Sequence, residues 1–241
     1  PPRKEPPMPH PMTLTYSGLV EPARAVGGDF YDVFPLEDGR AAVVIADVSG
    51  KGVEAAEFMG IARGIIRDSA QRHQTPAAAF TAANDRLCTI NEGGLFVTAF
   101  MGFLSPMTGQ FQYANAGHNY PLLRRAGGRY DWLKPPRADF VLAGITGKGY
   151  TPYEMTFAPG DALFLYTDGA TEAMNPGGAF YGNDRLRAVL DRCAAEGLSP
   201  FGLREAVRED IAMFTDGAAQ SDDLTLLAVE IFEGIEWAGG A

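Results

Sequence analysis

The sequence predicts a layered α+β fold in which most neighbouring strands run antiparallel. Three observations carry that prediction. Strand-like runs outnumber helical ones, glycine-containing pairs separate several of them at hairpin spacing, and 3.6-residue periodicity is confined to a few stretches. Together they favour layered sheets with helices over a doubly wound parallel sheet.

Taken in order, proline-rich residues 1–11 offer little to bury and read as an extended linker, and the start at Pro1 points to a region removed upstream. Strands are expected at Met12 to Val20, Phe30 to Leu36 and Ala41 to Asp47. A two-residue turn at Asp38-Gly39 would set Phe30 opposite Asp47. A helix follows from Val53 to about His73, with Val53, Ala56, Met59, Ala62 and Ile66 as its buried face, and a second begins after Pro76. Further strands are expected at Leu95 to Leu104, Gln110 to Asn115, Tyr153 to Ala158, Ala162 to Asp168 and Asp223 to Phe232, with turns at Thr108-Gly109 and Gly127-Gly128. A third helix runs from Asn183 to Ala194, and Ser199-Pro200 is a good cap and first-turn pair for a fourth. One domain over residues 12–235 and a short tail, 236–241, complete the chain.

A content of 46% hydrophobic and 21% charged residues over 241 positions suits one globular core. The net charge of −10 excludes broad nucleic-acid binding, which needs a basic surface. The run from Leu95 to Leu104 is broken by Thr98 and Gly102 and is far shorter than the roughly 20 residues of a membrane span, so no membrane contact is expected. Cys88 and Cys193 read as buried filler, and two thiols in a chain of this length suit a reducing, cytoplasmic setting.

The acids are the chemical signal. Strands that end in a carboxylate and antiparallel strands that begin with one bring Asp29, Asp47, Asp168 and the Asp222-Asp223 pair to one sheet edge. Such a cluster repels itself unless protons or a cation relieve it, and carboxylates without cysteine or histidine partners suit Mg²⁺ or Mn²⁺. One difficulty follows from the assumed turn: strict alternation puts Asp32 on the face of Asp47 and Asp29 on the other, so Asp29 joins only if a bulge or strand start re-aims it.

Val26-Gly27-Gly28-Asp29-Phe30-Tyr31-Asp32, Asp47-Val48-Ser49-Gly50-Lys51-Gly52, Asn115-Ala116-Gly117-His118-Asn119, Tyr166-Thr167-Asp168-Gly169 and Ser221-Asp222-Asp223-Leu224-Thr225 occur in that order over residues 12–232. This series resembles the type 2C superfamily of metal-dependent serine/threonine phosphatases, in its bacterial branch of stage II sporulation protein E and RsbU type. The resemblance implies an α/β/β/α sandwich of central antiparallel sheets flanked by helices, with two Mn²⁺ or Mg²⁺ ions at one end. It implies that Asp47 bridges both ions, that Asp168 and Asp222 hold one, and that Asp29 with the Val48 carbonyl completes the other. Asp223 would stand just behind, although the choice between Asp222 and Asp223 stays open. The resemblance further implies a phosphorylated anti-anti-sigma-type protein as substrate and an upstream sensor domain.

Arg24, shortly before Asp29, is the expected phosphate-facing cation, with a solvated surface role as its alternative and Lys51 as a second choice. The eukaryotic branch resembles Asp-Gly-His-Gly at the bridging aspartate. Here Val48 and Ser49 stand in those places, so a histidine acid is absent there, and His118 reads as a structural loop residue. Ser49-Gly50-Lys51-Gly52 lacks the spacing of a nucleotide-binding loop, and serine at position 49 does not suit an aspartyl-nucleophile phosphatase. The alternative from another class is a catalytically silent metal-binding module that sequesters a regulatory protein.

Overall fold

The computed structural model describes residues 12–233, so the expected linker and tail lie outside the described residues. The strands are β1 (Met12–Glu21), β2 (Phe30–Pro35), β3 (Ala41–Val48), β4 (Val97–Leu104), β5 (Gln110–Ala116), β6 (Leu122–Arg124), β7 (Tyr130–Trp132), β8 (Tyr153–Thr156), β9 (Ala162–Tyr166) and β10 (Leu224–Glu233). The helices are α1 (Val53–Arg72), α2 (Pro76–Ile90), α3 (Asp168–Thr171), α4 (Asn183–Ala195) and α5 (Pro200–Thr215). Two five-stranded sheets form, ordered β1-β10-β9-β6-β7 and β2-β3-β4-β5-β8, and every strand pair is antiparallel.

Alternation along the central strands builds four layers. In β3, Val43 and Ile45 face the other sheet and meet Leu163, Leu165, Leu227 and Val229, while Ala42, Val44 and Ala46 lie under α1 and α2. In β9, Phe164 and Tyr166 lie under α4 and α5. Strands covered on both faces must be apolar on both, which is why β3 and β9 read as unbroken hydrophobic runs. The α/β/β/α sandwich expected from the resemblance is therefore the observed architecture.

Several details differ from the sequence reading. Leu36 N–H donates to the Arg40 carbonyl at 2.7 Å and Gly39 has φ +83°, so Glu37-Asp38-Gly39 forms a three-residue connection instead of a two-residue turn. Pairing shifts by one: Phe30 faces Ala46, and position 29 falls opposite Asp47. A one-residue shift exchanges the faces, so Asp29 joins Asp47 without any bulge, and Asp32 turns towards α1 to meet Arg67 at 2.8 Å. In α1 the buried stripe is Ala55, Phe58, Ala62 and Ile66, whereas Val53 is 67% exposed because the helix begins at the sheet rim. Asp168 opens the short α3 and does not extend β9. Ser199 caps α5 by accepting from Gly202 N, as its sequence implied.

Candidate metal and phosphate site

The loop before β2, the end of β3, the end of β9 and the start of β10 meet at one end of the sandwich, and each delivers an aspartate. Asp29 is 4% exposed. Its Oδ2 accepts hydrogen bonds from the hydroxyls of Thr167 and Thr225, both at 2.7 Å. These threonines belong to the opposite sheet, so Asp29 ties the two sheets together at this end. Thr167 Oγ1 also accepts from Thr225 N at 3.1 Å, which fixes the donors themselves.

Asp29 stands opposite Asp47 in the β2–β3 register, and burial pushes both carboxyls well above the usual range. The Asp47 charge adds to the rise at Asp29, and those of Asp168 and Asp222 add to it at Asp47. Burial likewise raises Asp168, followed by the charges of Glu172 and Asp222. Three carboxyls with raised proton affinity, gathered beside the Asp222 charge, form a site that a cation would relieve. Among the described residues no three acidic, histidine or cysteine side chains already have the geometry of a metal-ligand cluster. The two findings are compatible: the acids are close enough to repel and have not converged. The donors are all oxygens, which fits hard divalent ions.

Close backbone approach explains the glycines of the motifs. A Cβ on Gly169 would lie 1.9 Å from the Asp223 carbonyl oxygen, and one on Gly27 would lie 2.4 Å from Asp223 Oδ2. Asp223 uses its two oxygens on the loop backbone, accepting from Ala23 N at 2.8 Å and Gly28 N at 2.6 Å. Val48 N donates to the Gly28 carbonyl at 3.3 Å, which sets the Val48 carbonyl beside the same loop.

Asp29, Asp47, Asp168 and Asp222 are thus brought together, while Asp223 is turned into a clamp on the 22–28 loop. Arg24 sits on that clamped loop, exposed and without a hydrogen bond or ion pair among the described residues. Lys51 Nζ lies 2.8 Å from Asp222 Oδ2 and donates to the Ser221 carbonyl at 2.6 Å. His118 is a loop clamp: its N–H donates to Asn115 Oδ1 at 2.7 Å and its carbonyl accepts from Asn115 Nδ2 at 3.0 Å. Thr167 and Thr225 escaped sequence reasoning. Their signal was the mirrored placing of a threonine just before Asp168 and another just after Asp223-Leu224.

Residues 37–232 match the family of Stage II sporulation protein E (SpoIIE). The chain belongs to the SpoIIE family. Among SpoIIE-like relatives, IcfG of Synechocystis is 29% identical over 88% of this chain and 37% of its own length. Phosphoserine phosphatase RsbU of Bacillus subtilis is 25% identical over 71% of this chain and 50% of its own. The chain therefore spans half or less of these relatives. The solved RsbU and RsbW domains of Rv1364c from Mycobacterium tuberculosis superpose with TM-score 0.76 at 28% identity, covering 93% of this chain and 62% of that one. The catalytic domain of the serine/threonine phosphatase PstP, solved with two manganese ions, shares the fold at TM-score 0.65 and 15% identity, over 92% of this chain and 99% of that one.

Proposed function

We propose that this SpoIIE-family chain is a metal-dependent protein phosphatase that hydrolyses phosphoserine or phosphothreonine with water. The observation that carries the reading is the meeting of Asp29, Asp47, Asp168 and Asp222, delivered by both sheets, at one end of the sandwich. The name of RsbU, a phosphoserine phosphatase, supports it. Two Mn²⁺ or Mg²⁺ ions would suit this all-oxygen donor set, and Asp29, Asp47, Asp168 and Asp222 with the Val48 carbonyl would hold them. When bound, such ions supply Lewis-acid charge at the phosphate and lower the pKa of the attacking water.

The chain's own residues do the rest. Asp223 holds the 22–28 loop against the site, and Arg24 on that loop supplies a planar fork for two phosphate oxygens. Asp29 and Asp47 give up the proton they hold when the site fills. With Ser49 in place of a histidine, position 49 brings no imidazole acid to the leaving oxygen, whose proton comes from water or another group.

The substrate in this reading is a phosphorylated anti-anti-sigma-type protein. The acids lie on strand ends and adjoining loops at one edge of the sandwich, an arrangement that suits a phosphorylated loop of a folded protein. A sensor domain elsewhere in a longer chain and a cytoplasmic location belong to the same proposal. Cys88 and Cys193 are both free, in keeping with a reducing compartment. No helix among the described residues is long and apolar enough to cross a membrane. The test is hydrolysis of p-nitrophenyl phosphate and of a phosphorylated regulator, with Mn²⁺ and with chelator. Mn²⁺-dependent turnover is expected. Metal-dependent capture of the regulator without turnover would indicate the silent module instead.

A further inference from the structure

A second feature opens at the same end of the sandwich as the acids. It is a groove of about 540 Å³ walled by Asn119, Trp132, Lys134, Tyr166 and Asn183, with His118 at its base. Topology fixes its position. Trp132 ends β7, Tyr166 ends β9, and His118 follows β5, all at the rim where β3 ends in Asp47-Val48. His118 is linked to the site directly, because its Nδ1 bonds Thr98 Oγ1 at 2.8 Å and Thr98 is the register partner of Asp47.

Three properties of the groove point to a ligand. His118 is 5% exposed, and its Nε2 is buried with no well-formed hydrogen bond beyond a loose approach to the Tyr166 backbone, an expensive condition for a ring nitrogen that borders a cavity. Trp132 and Tyr166 offer aromatic surface, and the Tyr166 hydroxyl is already organised: Tyr166 Oη donates to Asn183 Oδ1 at 3.0 Å, with Trp132 and Asn119 close by. Lys134 Nζ stands 5.5 Å from the Trp132 ring centroid and has no carboxylate partner among the described residues. In a chain with 30 acids to 20 bases, a groove lined by a lysine and no carboxylate is a local reversal of sign.

We propose that this groove is a docking subsite for the peptide segment flanking the phosphorylated residue, and that it selects a segment carrying an acidic side chain. The acidic group meets Lys134, aromatic or aliphatic portions lie on Trp132 and Tyr166, and a peptide group satisfies His118 Nε2. The proposal rests on the phosphatase reading for the meaning of the bound segment, although binding is measurable without turnover. A membrane or nucleic acid is a poorer occupant, since one lysine offers too little positive charge to hold an anionic polymer or surface.

The experiment uses short fluorescent peptides centred on a phosphonate analogue of phosphoserine, flanked by aspartates or by lysines, and the Mn²⁺-loaded protein. Fluorescence anisotropy should show the aspartate-flanked peptide binding about tenfold more tightly, the scale of one well-made contact. Lys134→Glu should invert that preference. The same charge reversal at exposed Arg129, in the β6–β7 turn at the opposite end, should leave it as in the unmodified protein. Equal binding of both peptides by the unmodified protein, or a preference untouched by Lys134→Glu, would overturn the docking proposal. Hydrolysis of p-nitrophenyl phosphate is followed in parallel. Its absence would sink the phosphatase reading, whereas the groove is decided by the anisotropy alone.

Discussion

Replacing Asp47 by asparagine should make the metal-free protein more stable at alkaline pH, although it removes a residue central to the proposed site. Burial and the Asp168 and Asp222 charges raise the Asp47 carboxyl from 3.8 to about 7. The sign follows from linkage: between these values the folded state holds a proton that the unfolded state has released, so stability falls as pH climbs through the window. A rise of about 3 units corresponds to ~4 kcal/mol of strain at full ionisation, at 1.36 kcal/mol per unit. Because the Asp47 charge bears on Asp29 and the two titrate together, neutralising one should recover about half, ~2 kcal/mol. In a domain of this size that is a melting-temperature gain of about 4–8 °C. The assay is thermal unfolding in chelator at pH 8.5 and at pH 5.0. Asp47→Asn should exceed the unmodified protein clearly at the first pH and much less at the second. Equal melting temperatures at pH 8.5, or a gain no larger than at pH 5.0, would refute the account of a strained acidic cluster. Added Mn²⁺ should reverse the order, since only the unmodified protein keeps the full ligand set.

Asp168→Asn should lower Mn²⁺-dependent turnover by at least about a hundredfold while circular dichroism stays native, and full activity would remove the metal site as described. Arg24→Ala should raise KM for phosphosubstrates more than it lowers kcat, because it removes a contact made mainly in binding; unchanged kinetics would return Arg24 to the surface. Apparent Mn²⁺ affinity, measured by calorimetry, should fall as pH drops from 8 to 6, since Asp29 and Asp47 must be deprotonated to bind; a flat profile would contradict their raised carboxyls. Gly169→Ala should destabilise the fold by about 2 kcal/mol or more in chemical denaturation, because its methyl would meet the Asp223 carbonyl at 1.9 Å; a neutral result would mean that the contact relaxes freely.

Most of the layered architecture was legible because long apolar runs such as Ala41 to Ala46 and Leu224 to Val229 can be stable only when covered on both faces. Asp29, Asp168 and Asp222 were legible because each stands beside Gly or Asp near a strand terminus, and Asp47 because it closes an apolar run. What misled was local turn chemistry. Asp38-Gly39 fits a two-residue or a three-residue connection equally well by composition, and only the Leu36 to Arg40 hydrogen bond decides it. That single residue determined whether Asp29 or Asp32 would share a face with Asp47. Strands β6 and β7 have three residues each, too few for periodicity to register, so the Gly127-Gly128 turn between them was seen without its strands. Asp222 and Asp223 cannot be separated by pattern. Their roles differ because Ala23 and Gly28 offer N–H groups to one and Lys51 offers its ammonium to the other.

The hydrogen bonds from Thr167 and Thr225 to Asp29 carry one more implication. Two acids of the proposed site stand on one sheet and the others on its partner, so their separation is set by the filling between sheets more than by any single strand. Ile45, Phe100, Leu165 and Leu227, all fully enclosed there, act as a gauge block between two jaws. Thinning that block would leave every acid of the proposed site in place by sequence and still detune the grip on an ion. For the proposed phosphatase activity, interior packing is therefore part of the calibration of the chemistry.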